Sequence, residues 1–298
     1  MNSTLRSALK KNSKPESVRD LLRETESLLT EHGDEEARRK TELLVSHLCG
    51  CRPLQIYTRL EDPVFPALRR AVELGRERLL KNEPLQYIIG ETDFFNCTLK
   101  VDPRVLVPRP ETEELVQLVL ETAELWKISL PVIADVGTGS GCIPIALCKE
   151  RPRGRYIGID LHADALALAK ENAALNGSGD AIQWRQNDLL AGFPPESLDA
   201  VTANLPYIPS SECAKLPPHI REFEPLTALD GGADGLDAIR RLVPQAEAVL
   251  KSPGWIFLEI GAEQGQDVTA LLEQHGFENV TVKKDLAGLD RIATGRKT

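Results

Sequence analysis

The sequence has no CxxC pair, no apolar run of the roughly 18 residues a membrane helix needs, and no excess of basic charge. Each absence closes off a class of protein. Six scattered cysteines (Cys49, Cys51, Cys97, Cys142, Cys148 and Cys213) support neither a zinc site nor a disulfide framework. They are expected to be reduced, in a cytoplasmic protein. The missing apolar run excludes a transmembrane helix, and the stretch Met1-Asn2-Ser3-Thr4-Leu5-Arg6 lacks the apolar centre of a secretory signal. Lys and Arg total 36 against 45 Asp and Glu, for a net charge of -9. A protein that coats nucleic acid usually carries a basic face, so stable nucleic-acid binding is not expected. The five histidines (His32, His47, His162, His219 and His275) show no ligand spacing, and no metal site is expected. Ser140 does not sit in G-x-S-x-G, which removes the nucleophile elbow.

What is present is ordinary globular composition, 42% hydrophobic and 27% charged over 298 residues, enough for one large or two ordinary domains. The first 15 or so residues are polar and basic and read as a frayed terminus. Ser17 is placed to cap a helix whose apolar positions include Val18, Leu21, Leu22, Leu28 and Leu29, ending at Gly33. A second helix is expected from about Glu35 to Leu48, a short one at 52–57, and another opened by Pro66. Residues 1–85 are thus expected to form a small helical bundle. Strands are expected at 94–101 and 105–107, a hairpin spanning a linker at 86–108. Pro108, Pro110 and the acids Glu111, Glu113 and Glu114 predict a helix start, running to about Trp126. From Leu130 onward strand and helix patterns alternate, which predicts a parallel sheet within a domain at 109–298. Late strands at 255–260 and 280–283 suit seven strands, one of them antiparallel.

The organising stretch of this second half is Val132-Ile133-Ala134-Asp135-Val136-Gly137-Thr138-Gly139-Ser140-Gly141-Cys142. It reads as a buried strand, a glycine turn and a helix start. Alternating glycines let the backbone turn sharply and let a ligand approach without a Cβ in the way. The helix that follows would face that ligand with free N–H groups and the positive end of its dipole. A dinucleotide fingerprint needs G-x-G-x-x-G and fails here, because Cys142 stands in the third place. A phosphate loop needs a Lys that is absent. Asp-x-Gly-x-Gly-x-Gly instead resembles the first motif of Rossmann-like S-adenosylmethionine-dependent methyltransferases, whose ligand carries a cation and a zwitterion rather than a pyrophosphate. Asp135 suits such a ligand by its charge. Asp160 stands about 20 residues beyond the glycines at a strand end, where doubly wound nucleotide folds place an acid on the ribose hydroxyls. Asp188 is read as an acceptor for an adenine amino group, and Leu189 as a ring contact and backbone donor.

Asn204-Leu205-Pro206-Tyr207 follows the fourth strand of this half and resembles the Asn/Asp-Pro-Pro-Tyr motif of methyltransferases that alkylate a planar nitrogen. An amide or exocyclic amino nitrogen is a poor nucleophile because its lone pair is delocalised. The Asn204 carboxamide oxygen can accept one N–H and the Leu205 carbonyl the other, fixing the nitrogen and raising its electron density. Tyr207 is read as a stacking wall. Leu205 departs from the proline usual in protein-glutamine methyltransferases; Asn-Leu-Pro-Tyr is common in rRNA adenine dimethyltransferases. Leucine keeps the carbonyl and is less rigid.

Further segments occur in order: Glu83 to Gly90, Phe94-Phe95, Val105 to Glu113, Glu224 to Gly235, Leu258-Glu259-Ile260-Gly261 and Asp285 to Arg291. Together with the two motifs they closely resemble the peptide chain release factor glutamine N5-methyltransferase family, over residues 17–291. The resemblance implies an α/β, Rossmann-like, seven-stranded methyltransferase domain preceded by a helical bundle that helps recognise the release factor. It implies S-adenosylmethionine as cofactor and the glutamine of a Gly-Gly-Gln loop as substrate. It makes Asn204, Leu205, Pro206 and Tyr207 the glutamine pocket, with Asn204, Pro206 and Tyr207 catalytic. Gly137, Thr138, Gly139, Ser140, Gly141, Asp160, Asp188, Leu189 and Asn204 become cofactor contacts. Arg109 and Glu111 to Glu113 either close over the cofactor or act as hinge or cap. A glutamine of a ribosomal protein is an alternative substrate, and an adenine-N6 acceptor a weaker one.

Overall fold

A computed structural model describes residues 16–298, so the expectation for the first 15 residues lies outside the described part. The chain divides into two compact units, one ending at Ile89 and the other beginning at Gly90.

The first unit is helical: α1 (Val18–Glu31), α2 (Ala37–Leu48), a 3-10 turn (Pro53–Thr58), α3 (Pro66–Leu79) and α4 (Leu85–Ile89). Ser17 caps α1 in a reciprocal capping box with Asp20. Of the apolar positions expected on α1, Val18 and Leu21 pack with Val45, Ile56 and Val72, Leu22 lies partly buried against them, and Leu29 packs with Leu44, Leu79 and Leu85, while Leu28 is half-buried. Gly75 allows α3 to approach α2 closely, since a Cβ there would lie 2.8 Å from Leu44 Cδ1.

The second unit opens with a hairpin, β1 (Glu91–Phe94) and β2 (Cys97–Lys100). This corrects the expected hairpin. β1 lies ahead of the first expected strand and shares only Phe94 with it, β2 lies within it, the turn falls at Phe95-Asn96, and 105–107 forms no strand. Phe95 has φ of 52°, which breaks the strand there. The hairpin is also not a free linker. Phe94, Cys97 and Leu99 are buried with α5 (Pro110–Glu121) and α6 (Cys142–Glu150), and Asn172 of α7 (Ala163–Leu175) bonds both backbone groups of Lys100.

The rest is β3 (Val132–Val136), α6, β4 (Arg155–Asp160), α7, β5 (Ile182–Gln186), β6 (Leu198–Asn204), the short helices α8 (Ser210–Cys213) and α9 (Pro218–Arg221), α10 (Asp237–Val249), β7 (Leu250–Glu259), α11 (Gly265–Gln274), β8 (Glu278–Lys284) and β9 (Asp290–Lys297). The strands form one seven-stranded sheet in the order β5-β4-β3-β6-β7-β9-β8. β9 is antiparallel to both neighbours. It carries no strand pattern in sequence: Ile292 and Ala293 are buried side by side between polar, half-buried positions, with neither the apolar run of β3 nor a strict alternation. α5 stops at Glu121 rather than near Trp126; Thr122 leaves helical geometry, and Trp126 folds back to donate from Nε1 to the Val119 carbonyl.

Both faces of the sheet are covered, so its strands read as continuous apolar runs. Ala134, Val136, Val201 and Ala203 face α10 and α11 through Ile239, Leu242 and Val268. Ile133, Ala200 and Phe257 face α5 and α6 through Leu115, Ile145 and Leu147. The chain reverses its direction of travel across the sheet between β3 and β6, the switch point at which open parallel sheets bind ligands.

Candidate active site

β3 and β6 pair in parallel with Val136 opposite Ala203, so Gly137 and Asn204 leave the sheet side by side. The two loops touch: a Cβ on Gly137 would lie 2.8 Å from Leu205 Cδ2 and 3.7 Å from the Asn204 carbonyl oxygen. Between them and their neighbours lies a cavity of about 290 Å³. Of the residues expected here, Gly137, Thr138, Gly139, Ser140, Asp160, Asp188, Leu189, Asn204, Leu205 and Pro206 line it.

Two do not, and the reasons are steric. Gly141 has φ of 79°, and its missing Cβ faces Trp184, Ala169 and Ile145 at 2.9–3.1 Å. Its glycine serves close helix–sheet packing rather than ligand approach. Tyr207 turns its hydroxyl toward Glu259 Oε1, 3.4 Å away, and is not part of the cavity wall, so the expected stacking wall is not built from it. Burial pushes its phenol up to about 12, with Glu259 adding to the shift.

Asp135, the acid that precedes the glycines, is buried beneath the loop and does not reach the cavity. Thr202 Oγ1 donates to its Oδ1 at 2.8 Å, and burial pushes the carboxyl up to about 6. Asp160 does reach it. One carboxylate oxygen accepts the Gly139 N–H at 2.9 Å and the other the His162 N–H at 2.9 Å, so the acid shapes the glycine turn while facing the cavity. Asp188 is paired with Arg241 at 2.6 Å, half exposed at the rim. Leu189 has φ of 52°, a turn in the chain at the cavity wall.

Arg104 and Arg241 line the cavity with no signal in the sequence to mark them, and Thr112, Pro225 and Thr227 line it from within the segments that carry the family resemblance. Arg109 lines the cavity, and its guanidinium donates to the buried Glu224 at 2.6 Å, with Glu224 also accepting from the Val107 N–H. That ion pair ties the segment before α5 to the loop before α10. Glu113 behaves as a cap for the hairpin turn, accepting the Phe95 N–H at 2.9 Å. Gly231 and Gly235 form a tight loop against the Asn204 segment, since a Cβ at either would strike the Pro206 or Tyr207 carbonyl within 2.6 Å.

The cavity is suited to an adenosyl sulfonium ligand. A Cβ at Gly139 would meet nothing nearer than 4.0 Å, leaving the backbone open to a close approach, and Asp160 offers a carboxylate beside it. Ile143, Ile159 and Leu161 supply apolar wall. Among the described residues no group of three His, Cys, Asp or Glu side chains is placed to hold a metal ion, and no helix is long and apolar enough to cross a membrane. Gly137→Ala is expected to lower both the melting temperature and cofactor affinity, because it combines a φ of 73° with the Leu205 clash; thermal unfolding and calorimetry would show it.

Sheet order, switch-point cavity and glycine loop together define a Rossmann-like S-adenosylmethionine-dependent methyltransferase. Residues 133–223 match the family model of a methyltransferase domain, and residues 20–90 match that of the PrmC N-terminal domain. Among solved structures, the hMettl16 catalytic domain in complex with a 3'UTR hairpin superposes with a TM-score of 0.56 at 17% identity, over 67% of this chain and 76% of that one. At that identity the likeness concerns the fold. The release factor glutamine methyltransferase of Thermodesulfovibrio yellowstonii is 40% identical over 261 residues, 87% of this chain and 92% of that protein. The one from Geobacter sulfurreducens is 36% identical over 285 residues, 95% of this chain and 98% of that protein. The chain belongs to the release factor glutamine methyltransferase family.

Proposed function

We propose that this enzyme methylates the side-chain amide N5 of the glutamine in the Gly-Gly-Gln loop of peptide chain release factors. The observation that carries the reading is the shared wall: the glycine loop and Asn204 to Pro206 line one cavity. S-adenosylmethionine, when bound, supplies a methyl group activated by the sulfonium. The chain's own residues do the rest. Gly137 to Ser140 and Asp160 hold and orient the cofactor, with Asp188 and Leu189 at the adenine end. The Asn204 Oδ1 and the Leu205 carbonyl each accept one N–H of the substrate carboxamide. Two fixed acceptors aim the nitrogen and raise its electron density, and orientation of this kind can lower a barrier by several kcal/mol. Pro206 stiffens the exit of the loop. The helical unit that matches the PrmC N-terminal domain is the part we assign to release-factor recognition; Leu54 and Phe65 are 84% and 68% exposed on it.

The test is incubation with labelled cofactor and three separate acceptors: a release factor, ribosomal proteins and RNA. Label on the release factor, lost when its loop glutamine is changed to alanine, is the expected result. Label on ribosomal protein or RNA alone would overturn the assignment. Leu205→Pro checks the loop. Leu205 is buried among Val136, Ala203 and Leu236, so the variant is expected to lose about 1–3 kcal/mol of stability by denaturant unfolding. Its kcat per folded enzyme should hold if the carbonyl is what serves the substrate.

A further inference from the structure

We infer that Glu259, acting through Thr112, sets which end of the Asn204 carboxamide faces the substrate; the inference rests on the amide-binding role of Asn204 proposed above. Glu259 ends β7 directly opposite Asn204 on β6, and is 1% exposed. Thr112 Oγ1, 2% exposed in the first turn of α5, donates to Glu259 Oε2 at 2.6 Å. Asn204 Nδ2 donates to Thr112 Oγ1 at 3.0 Å.

The polarity of this chain follows from proton counting. An ionised carboxylate has only lone pairs to offer. Thr112 has one hydroxyl proton, and Glu259 takes it. What Thr112 then presents to Asn204 is a lone pair, so Asn204 must answer with its NH2 group. The amide is planar, and its oxygen is therefore turned away from Thr112, available to accept an N–H. If Glu259 is protonated on Oε2, the order can invert. Glu259 donates to Thr112, Thr112 donates to Asn204, and the amide presents NH2 where the substrate also brings N–H. Two donors then face each other and the substrate nitrogen loses its acceptor.

Burial holds Glu259 well above an ordinary glutamate, at about 7, with Thr112 and Arg291 pulling it down and Glu111 pushing it up. The groups facing it are Thr112 and Glu111 of α5, Tyr207 after β6, Arg291 of β9 and the Cys142 thiol at the start of α6. The sign is that of a raised carboxyl: the working form exists above the titration and is lost as pH falls through it. Thr112 and Glu259 are positioning residues, since they act through Asn204.

The experiment uses the full chain. In wild type, activity on a release factor should fall as pH drops through about 7. The Asn204 side-chain NH2 resonances in a 15N-edited NMR spectrum should shift with the same midpoint. Thr112→Val should lower kcat by about 100-fold, the scale seen when one preorganised polar contact at a reacting group is lost, with cofactor affinity by calorimetry unchanged. Thr112→Ser should restore most of it. In Glu259→Gln, Oε1 continues to accept from Tyr207 and Nε2 faces Thr112 as a donor, so kcat should be low at every pH and the NMR titration should vanish. Wild-type kcat in Thr112→Val, or NH2 resonances that do not move near pH 7 in wild type, would overturn the inference. The NMR arm needs neither substrate nor variant folding. An enzyme inactive on release factors but showing the titration would refute the substrate assignment and leave the Glu259–Thr112–Asn204 orientation standing. Asp135, with its own raised value of about 6, is separated from Glu259 by the Glu259→Gln profile.

Discussion

Asn204→Ala is expected to lower kcat by about 10²–10³-fold while leaving cofactor affinity close to that of wild type. The substitution removes the one side-chain acceptor that the loop offers to the substrate amide. Its effect falls on the chemical step, because the acceptor counts most as the nitrogen gives up its lone pair to the incoming methyl group and its N–H bonds grow more polar. The backbone is preserved, since Asn204 lies at the end of a paired strand whose register depends on main-chain bonds to β3 and β7. Removing Asn204 Nδ2 also takes from Thr112 the donor to its lone pair, while its hydroxyl proton stays on Glu259. Single-turnover rates on a release factor, with calorimetry for the cofactor, separate the two quantities. Full activity in this variant would remove the amide-acceptor role and, with it, the mechanism proposed for the loop.

Asp160→Ala should act on the other side of the cavity and on the other quantity. Its carboxylate holds the Gly139 and His162 N–H groups at 2.9 Å each and lines the cavity, and in the proposed function it holds the cofactor there. Hydrogen bonds to a charged acceptor contribute about 1.5–3 kcal/mol, so Kd for the cofactor should rise by roughly 10–100-fold. Part of that loss is disorder in the glycine turn and part is lost ligand contact. Asp160→Asn separates them, because it keeps the shape and one acceptor but not the charge, and should fall between wild type and alanine. An unchanged Kd in Asp160→Ala would place the ribose elsewhere.

Much of this was written in local pattern. The run from Val132 to Val136 is apolar because both faces of the sheet are covered, and Gly137 and Gly139 are glycine because the turn needs positive φ at each. That Asn204-Leu205-Pro206 and Asp160 line the cavity was legible from residue type and spacing, because each stands at a strand end beside a turn signal. Only the tertiary structure revealed what required distant segments to meet. Nothing near Gly141 in sequence says that Trp184 packs on it, or that Tyr207 points its hydroxyl at Glu259 and stands outside the cavity wall. A carboxylate in the apolar run Trp255-Ile256-Phe257-Leu258-Glu259-Ile260 was the one hint that something polar was buried there. Its partner Thr112 is 147 residues away along the chain. Periodicity and propensity act over a turn or a strand, whereas the orientation of a single amide is decided by which proton a neighbour across the sheet has left to give.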